Sequence, residues 1–467
     1  MVMNRALSFF LLLAICLGFL FQPACEEPSV YKPAISQMPF SNQRILNQTV
    51  MGSVSAHSSL YAMIDDGMGA LYFRGVLNGE YVIGRLQRNG QSLWVKNTGR
   101  NARDICRVPQ NPVGLVNALL TSRDRDSDDD GKVDKALIWL MGSGGEDIDT
   151  LIVEEAGERV WLNAIVAIDS LNFLAVGGST ALDNVYHPFI ATFTIGADST
   201  IIERSQRLYG GLPNQLFGLA VVDPSTVTAT DYVSYIRSSV YDQNGKVQYI
   251  IVYALHVSKT IGPDAGPLWS VDLKQQSNLP VNPGNIILSG ANLYTAGLAR
   301  VTKDSEQWDA GYVALISTSG TLNRFTAVNI TKQSDNFSDL RLGGGKLFLS
   351  GICLHYFVTD TNREYGRALI SIFDPATWKA LYHLGFGSKD YASGFNSIVM
   401  IGTRAYCGGW TNKPLSNGNF QAWFAEINLD ALTSEGLTEL PGPFSAEPPS
   451  REMQPASPVT DGGDDRD

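Results

Sequence analysis

The densest run of metal-type ligands in the chain is the segment Asp126-Ser127-Asp128-Asp129-Asp130-Gly131-Lys132-Val133-Asp134. Its carboxylates fall at loop positions 1, 3, 5 and 9, with glycine at position 6 and a backbone carbonyl available at position 7. Calcium prefers six to eight oxygen ligands, and this spacing wraps oxygens around one point. The segment therefore predicts a Ca²⁺ site formed by four aspartates and the carbonyl of one lysine: Asp126, Asp128, Asp130, Lys132 and Asp134.

The residues on either side indicate which kind of calcium loop this is. Position 12, a glutamate in an EF-hand, is Leu137, and the flanks Leu115–Leu120 and Ala136–Leu140 have the apolar pattern of strands. The segment resembles the calcium loop between strands in the propellers of integrin-type and related bacterial repeats. That resemblance implies that Asp134 helps to close the ligand shell. Because only one repeat carries the motif, the calcium is expected to be structural and to brace this loop. The alternative is a solvated acidic turn balanced by nearby basic residues: Arg123, Arg125, Lys132 and Lys135.

A second group of residues has the chemistry of ligand recognition. Aromatic side chains, with Asn, Asp and Arg beside them, occur in polar connections whose length differs between otherwise similar segments. Such rings bury contact area at little entropic cost, which suits binding of sugars or proteins. The alternative is that many of them pack against their own strands. The candidate binding residues are Tyr186, His187, Trp308, His355, Tyr356, Arg363, Tyr365 and Trp410.

Signatures of the common enzyme classes are absent from the sequence. The chain has no GxSxG, no HExxH, no P-loop and no GxGxxG after a strand, and its 5 histidines share no repeated position. The paired carboxylates of glycoside hydrolases are brought together by folding rather than by local spacing. A non-catalytic protein is therefore favoured, with a carbohydrate-active enzyme of the glycoside hydrolase or lyase type as the alternative.

The elements that position these residues repeat along the chain. In five segments an apolar strand that ends at a glycine is followed by a polar connection and a second apolar strand. The glycine is expected where the backbone leaves its strand, with positive φ or a bulge. The marker glycines Gly297, Gly351 and Gly409 stand 54 and 58 residues apart, and Gly75, Gly178 and Gly297 stand at about twice that spacing. Two degenerate copies fill the wide intervals: Ala136–Gly142 with Thr150–Val153, and Tyr232–Val240 with Tyr249–Leu255.

This period predicts an all-β chain folded as a single propeller, with seven blades of about four antiparallel strands. An array of β-sandwich domains is the alternative, but its period would be nearer to about 100 residues. The pattern resembles the loosely repeated propellers of secreted bacterial proteins over residues 44–434. That resemblance implies the fold and leaves the function open. In a propeller, equivalent connections emerge on one face, so the variable connections define a long-loop face.

The first residues indicate export. Residues 1–24 have the pattern of a signal peptide, because Arg5 precedes the apolar run Ala6–Phe21, which is short for a membrane span. Ala24-Cys25 is similar to the end of a bacterial lipoprotein signal, although Gln22 stands where that motif usually has leucine. Lipidation of Cys25 and ordinary cleavage near Ala24 therefore both stay open.

The regions that flank the repeats have a different composition. Residues 25–43 are predicted to form a tether, and residues 435–467 a disordered, acidic, proline-rich tail. Between them, Cys353 and Cys407 occupy nearly matching places in adjacent repeats, which fits either a disulfide or two buried thiols.

The net charge and the export signal together define the expected function. With 35 basic and 46 acidic residues the net charge is −11, which disfavours nucleic-acid binding. We expect an exported propeller at the cell envelope, lipid-anchored through Cys25, or secreted or periplasmic. Its expected partner is a protein or a glycan, and its only expected membrane contact is the lipid at Cys25. A structural role in an envelope assembly would require an exposed apolar patch.

Overall fold

The computed structural model describes residues 29–31 and 41–430, with the following exceptions: 111, 126–134, 155–158, 181–184, 209–214, 242–246, 259–266, 274–280, 304–305, 329, 331–334, 359–362, 388–390 and 413–418. The predicted signal peptide at 1–24 and the predicted tail at 435–467 lie outside the described residues. No helix in the described part of the chain is long and apolar enough to cross a membrane.

The chain folds into seven sheets, each containing four antiparallel strands in meander order, and one of them has a fifth, parallel strand. We number these sheets as blades 1 to 7. Blade 1 comprises β3 (Ser59–Asp65), β4 (Ala70–Leu77), β5 (Glu80–Gln87) and β6 (Ser92–Asn97), and blade 2 comprises β7 (Ala102–Arg107), β8 (Leu119–Arg125), β9 (Lys135–Met141) and β10 (Asp147–Val153). Blade 3 comprises β11 (Arg159–Ala167), β12 (Asn172–Thr180), β13 (Tyr186–Ile195) and β14 (Ile201–Leu208), and blade 4 comprises β15 (Gln215–Val222), β16 (Asp231–Tyr241), β17 (Val247–Ser258) and β18 (Trp269–Asp272). Blades 5 to 7 comprise β19 (Val281–Ser289), β20 (Asn292–Lys303), β21 (Glu306–Ser317) and β22 (Leu322–Val328); β23 (Asp335–Gly343), β24 (Lys346–Val358), β25 (Arg363–Asp374) and β26 (Lys379–Phe386); and β27 (Ser393–Ile401), β28 (Arg404–Thr411), β29 (Gln421–Asn428) and β2 (Ile45–Met51).

The blades form a closed ring, so the predicted seven-bladed all-β propeller is confirmed. The first strand of each blade contacts the first strand of the next, and the series returns from β27 to β3. These seven inner strands therefore surround a central channel. The ring closes through β2, which precedes blade 1 in sequence but pairs with β29 as the outer strand of blade 7. A short additional strand, β1 (Ser29–Tyr31), pairs in parallel with β22 at the outer edge of blade 5.

The apolar runs of the sequence form strands that are buried on both faces, because each blade packs between two others. In β12, Leu174, Ala175 and Val176 are consecutive and all fully buried. Phe173 and Phe193 stack at 5.5 Å between ring centroids in the cluster that joins blades 2 and 3. Burial of rings of this size contributes about 1.5–3 kcal/mol each. Inter-blade packing of this kind holds the ring together.

The marker glycines stand opposite a β-bulge, and this explains why they repeat. The inner strand of every blade has a register shift near its start. A Cβ at Gly75, Gly351 or Gly409, or in blade 3 at Gly177, which precedes the marker Gly178, would lie only 1.8 to 2.2 Å from a carbonyl oxygen of that inner strand. None of these four glycines has positive φ. The expectation that the strand ends at the glycine is wrong, since the strand continues through it and glycine is needed for close approach.

Blade 2 departs from the predicted repeat by one strand. The degenerate pair Ala136–Gly142 and Thr150–Val153 corresponds to its third and fourth strands, whereas in the clear copies the pair forms the second and third. The second strand is β8, in which Arg123 occupies the place of the marker glycine opposite the bulge. The signal of the repeat is therefore lost from this strand. The other degenerate pair matches β16 and β17 as predicted.

The long connections of blades 5 and 6 are largely strands. Beyond Gly297, β20 and β21 stay paired as far as Lys303 and Glu306, whereas β4 and β5 end two residues beyond Gly75. At about 3.3 Å per residue the extra pairing lengthens the hairpin by more than 10 Å. The long-loop face therefore carries projecting hairpins rather than open loops in this sector.

The described cysteines are free thiols. Cys353 and Cys407 are fully buried, and the Sγ of Cys353 donates to the carbonyl of Arg367 at 3.7 Å. Burial raises the pKa of both thiols well above the ordinary value. Of the two alternatives left by the sequence, the structure has two buried thiols.

Candidate ligand-binding site

The bulges bring polar side chains together in the channel just below the long-loop face. Each inner strand begins at that face, and its bulge lies within the first few residues. In blades 2, 3 and 7 the extra residues are Arg103, Asn163 and Asn396. A bulge turns a side chain out of the regular alternation. The channel therefore has a polar layer near its mouth although the blades are apolar.

Most of these polar groups are used to join neighbouring blades. Asn163 Nδ2 donates to the Phe217 carbonyl at 2.9 Å, and Asn396 Nδ2 donates to the Leu60 carbonyl at 2.8 Å. The remaining bonds of this kind are Arg74 Nη1 to the Ala102 carbonyl at 3.1 Å, the Ile165 N–H to Asp104 Oδ2 at 2.9 Å, Asn285 Nδ2 to Asp339 Oδ1, and the Ile398 N–H to Asp339 Oδ2 at 3.0 Å. Six of the seven blade junctions are bridged in this way.

The junction between blades 4 and 5 has no such bond between described residues, and a buried arginine lies beside it. Arg237 is 6% exposed, and its Nε and Nη1 have no hydrogen-bond partner in the described structure. A Cβ built on Gly218, the bulge residue of β15, would lie 3.3 Å from Arg237 Nη2. The guanidinium therefore lies over the inner strand of blade 4, next to the channel.

Three further guanidinium groups belong to this layer, and each pairs with a carboxylate or lies within electrostatic range of one. Arg103 pairs with Asp124 at 2.9 Å, and Arg341 pairs with Asp339 at 2.8 Å. Burial lowers the pKa of Arg74, and the charge of Asp104 opposes that shift. Arg237 differs from all three, since no described carboxylate compensates it.

The electrostatic couplings show that these groups share one space. Burial raises the pKa of Asp104, while Arg74, the Ile165 N–H and Arg341 of blade 6 lower it. Since Asp104 belongs to blade 2, the influence of Arg341 acts across the channel. Burial likewise raises the pKa of Tyr241, and both Arg237 and Arg103 oppose the increase. Tyr241 thus lies within range of cations from two blades.

Two groups of aromatic rings lie at the rim of the same face. Trp161 and Tyr186 meet edge to face at 5.9 Å, and Tyr186 meets Tyr241 at 5.5 Å. On blade 7, Trp410 and Phe420 are 4.4 Å apart. The Trp161–Tyr186–Tyr241 group joins blades 3 and 4 beside Arg237, and all three of its rings are half-buried.

The structure brings together only some of the predicted binding residues. Tyr186 and His187 lie in β13, and His187 Nδ1 is buried with no described partner. Trp410 lies at the end of β28, where its ring packs over Gly394 of its own blade. For the others the structure describes the backbone alone, which lies in the extended hairpins: Trp308, His355, Tyr356, Arg363 and Tyr365.

The predicted calcium ligands lie outside the described residues, as does Cys25. The predicted calcium segment joins β8 to β9, and Arg125 pairs with Lys135 at its two ends. The strand predicted after it at Ala136–Leu140 matches β9, whereas the strand before it begins at Leu119 rather than at Leu115. No group of three His, Cys, Asp or Glu side chains that could hold a metal occurs among the residues with described positions. The predicted ligands concerned are Asp126, Asp128, Asp130, Lys132 and Asp134.

Sequence reasoning missed the channel residues, although one signal was available. Arg74 and Arg237 occupy equivalent positions of the repeat, each paired with the residue that follows the bulge. Both interrupt apolar strands, in Leu-Tyr-Phe-Arg-Gly and Tyr-Ile-Arg-Ser. A charged residue in the middle of a buried strand indicates a polar cavity at that level.

No protein-family profile and no curated protein sequence matches the chain. Among solved structures, it is similar to the polysaccharide lyase Uly1, with 9% identity and a TM-score of 0.45 over 86% of this chain and 97% of that one. It is also similar to an α-L-arabinofuranosidase from Fusarium graminearum, with 11% identity and a TM-score of 0.41 over 83% and 98%. Against a prolyl endopeptidase the identity is 13% and the TM-score 0.42, over 79% of this chain and 46% of that one. These likenesses assign no activity to the chain.

Proposed function

We propose that this chain is an exported, non-catalytic β-propeller that binds a glycan through its long-loop face. The observation that carries the proposal is the half-buried group Trp161–Tyr186–Tyr241 beside the polar mouth of the channel. Sugar rings stack on aromatic faces, while their hydroxyl groups need donors and acceptors nearby. Rings and polar groups of this kind occur together at this place. A protein partner would use the same face but has less need of a polar cavity beneath it.

The carboxylates of the channel favour binding over glycoside hydrolysis. Such hydrolysis generally needs two carboxyl groups that flank one bond. Asp339 instead accepts hydrogen bonds from Arg341, Ser397 and the Ile398 N–H, which fix it in the blade junction. Asp124 is bound by Arg103. Of these three channel carboxylates, Asp104 is then the one left for catalysis, and it also accepts a hydrogen bond from the Ile165 N–H.

A structural role in an envelope assembly has less support. Large apolar side chains are exposed on outer strands, but they are spread over four blades: Leu46, Leu93, Val95, Ile152 and Ile202. Exposed apolar residues that occur singly are normal for a soluble surface. The side chains that suit recognition lie on the long-loop face instead.

Glycan binding by purified protein tests this function. We expect wild type to retain a subset of immobilised polysaccharides and the double variant Tyr186→Ala/Tyr241→Ala to bind them at least about tenfold more weakly, because both stacking rings are removed. Tyr382→Ala is the matched control, since this half-buried ring lies on the outer strand of blade 6. Equal binding by all three proteins, or release of shortened sugars by wild type, would contradict the proposal.

Intact-mass analysis of the protein from its native source tests export. We expect the mass to lack residues Met1–Ala24, since Arg5 and the apolar run that follows have the pattern of a signal peptide. An increment the size of a diacylglycerol that disappears in Cys25→Ser would establish the lipid-anchored form. A mass that includes Met1–Ala24 would overturn export.

A further inference from the structure

The guanidinium of Arg237 is a buried cation beside the channel, and no described anion compensates its charge. A guanidinium stays charged at every physiological pH, and a buried charge without a partner is strongly unfavourable. Arg237 is such a group, with two nitrogens that have no described acceptor. Burial lowers its pKa to about 10, with Tyr312 and Tyr241 opposing the shift. A bound anion would compensate this charge.

The surroundings of Arg237 are incomplete in a way that a ligand would complete. At the other six junctions a polar side chain of this layer bonds to the neighbouring blade, but between blades 4 and 5 the described residues supply no such bond. The bulge residue of the inner strand is glycine here, so Gly218 places no side chain against the guanidinium, whereas blades 3 and 7 have asparagine at this position. We therefore expect a ligand to approach the buried guanidinium from the side of Gly218.

The shape of the missing partner follows from the donors. Nε and Nη1 of Arg237 have no described acceptor, and each forms with Nη2 one of the two edges at which a guanidinium binds a planar carboxylate. Tyr241, which is within electrostatic range of Arg237, is one of the stacking rings of the rim. A ligand that places a carboxylate next to a flat, hydroxyl-rich ring would satisfy both features at once.

We infer that the channel mouth beside Arg237 binds the carboxylate of a uronic acid, so that the glycan held by this propeller is an acidic one. This inference rests on the proposed glycan-binding function and names its ligand class. Arg237 recognises the charge, and the Tyr186–Tyr241 pair stacks on the sugar. Arg103, which is paired with Asp124, also lies within electrostatic range of Tyr241.

A matched pair of ligands isolates the role of the carboxylate. An oligouronate and its methyl ester have the same rings, but only the first is charged. We expect wild type to bind the oligouronate at least about tenfold more tightly than the ester. Arg237→Gln should weaken oligouronate binding about 10- to 100-fold and leave the binding of the ester unchanged. Arg237→Lys should recover only part of the affinity, because an ammonium group lacks the fork.

Two controls test whether weaker binding by Arg237→Gln comes instead from misfolding or from the loss of any one positive charge. Arg204→Gln removes the same charge from an exposed position on the outer strand of blade 3 and should change the affinity less than about twofold at physiological salt. Arg237→Gln should melt no lower than wild type without ligand, because it removes a buried charge that has no partner.

The outcomes distinguish this inference from the proposed function. If wild type binds the oligouronate and its ester equally, or if Arg237→Gln changes the affinity for neither ligand, the proposed uronate site is wrong. The proposed glycan binding is unaffected by that result. If a glutamate oligomer binds in an Arg237-dependent way and no saccharide does, the ligand is an acidic peptide and both proposals fail. If no saccharide binds and the Tyr186→Ala/Tyr241→Ala variant behaves like wild type, the proposed function itself is overturned.

Discussion

A buried imidazole makes the stability of the protein depend on pH. His383 is 4% exposed, its Nδ1 lies 2.9 Å from the Ser371 hydroxyl, and burial lowers its pKa to about 3. The unfolded chain takes up a proton on this histidine below about pH 6.5, whereas the folded protein does not until the pH is far lower. The stabilisation is therefore complete above pH 6.5 and is lost as the pH falls. Between pH 7 and 5 this loss amounts to about 2 kcal/mol.

Urea unfolding at pH 7 and pH 5 measures this effect. We expect His383→Gln to lose about 2 kcal/mol less than wild type between the two pH values, because glutamine does not titrate. His256→Gln, a change at an exposed histidine, should keep the pH dependence of wild type. If both variants follow wild type, the burial of His383 does not control the acid sensitivity.

A glycine opposite a bulge should not tolerate even one methyl group. A Cβ on Gly351 would lie 1.8 Å from the Asn336 carbonyl oxygen, which is backbone and cannot turn aside. Gly351→Ala should therefore destabilise the protein by about 1–3 kcal/mol. Gly343→Ala in the same blade is the control, since its nearest contact at 3.4 Å is ordinary. Chemical denaturation compares the two, and equal stability would refute the close-approach argument.

At the residue scale, sequence reasoning found the glycines but not what they contact. Their spacing was readable because the same bulge recurs in each blade. Arg237 was not selected because the search for binding residues followed the variable connections, whereas the channel is lined by bulges near the starts of inner strands. A bulge is decided by pairing between strands, which no local sequence pattern specifies.

At the element scale, the predicted calcium segment connects two strands of one blade, with Arg125 and Lys135 paired at its two ends. We expect the aspartates between them, Asp126, Asp128, Asp130 and Asp134, to repel one another. A bound Ca²⁺ would relieve that repulsion. The missing carboxylate at position 12 points to a Kd on the order of 10⁻⁴ M.

Melting in excess calcium and in EDTA tests this site. At about 1 mM Ca²⁺ the stabilisation is about 1.4 kcal/mol, which raises the melting temperature by about 2 °C for a domain of this size. Asp128→Ala should abolish the difference, and Asp198→Ala, a change in an exposed turn of blade 3, should retain it. If calcium shifts neither wild type nor Asp198→Ala and calorimetry detects no binding, the segment is only a solvated acidic turn.

Elements were predicted best where burial is greatest. The second and third strands of five blades were located because they are apolar on both faces, as in Leu347–Leu349 of β24. The extended hairpins of blades 5 and 6 were read as loops, since their polar residues lack the apolar signal of a buried strand. Those residues pair as strands all the same, with Val301 opposite Trp308 and Tyr356 opposite Tyr365. Backbone pairing continues there beyond the apolar core.

At the scale of the whole molecule, closure of the ring rests on a strand from the start of the fold. β2 pairs with β29 along its length, and Gln48 Oε1 accepts from Trp423 Nε1 at 3.3 Å. The segment just before it is also held, since Asn42 Nδ2 donates to the Gly387 carbonyl at 2.7 Å. Blade 7 is thus built from both ends of the propeller sequence. Loss of this strand would expose the edge of β29 and open the ring between blades 7 and 1.

Paired proline substitutions test this closure. In Gln48→Pro/Thr49→Pro, one of the two lost N–H groups necessarily faces β29, because successive N–H groups of a strand point to opposite sides. We expect a fall in melting temperature of about 4 °C or more, together with self-association through the exposed edge. The control is Ser29→Pro/Val30→Pro in β1, which adds a fifth strand to blade 5 but closes nothing. That variant should keep the oligomeric state of wild type and melt within about 1 °C of it. If it is impaired as much as the β2 variant, outer strands in general hold the blades, and closure by β2 has no special part in the stability of the ring.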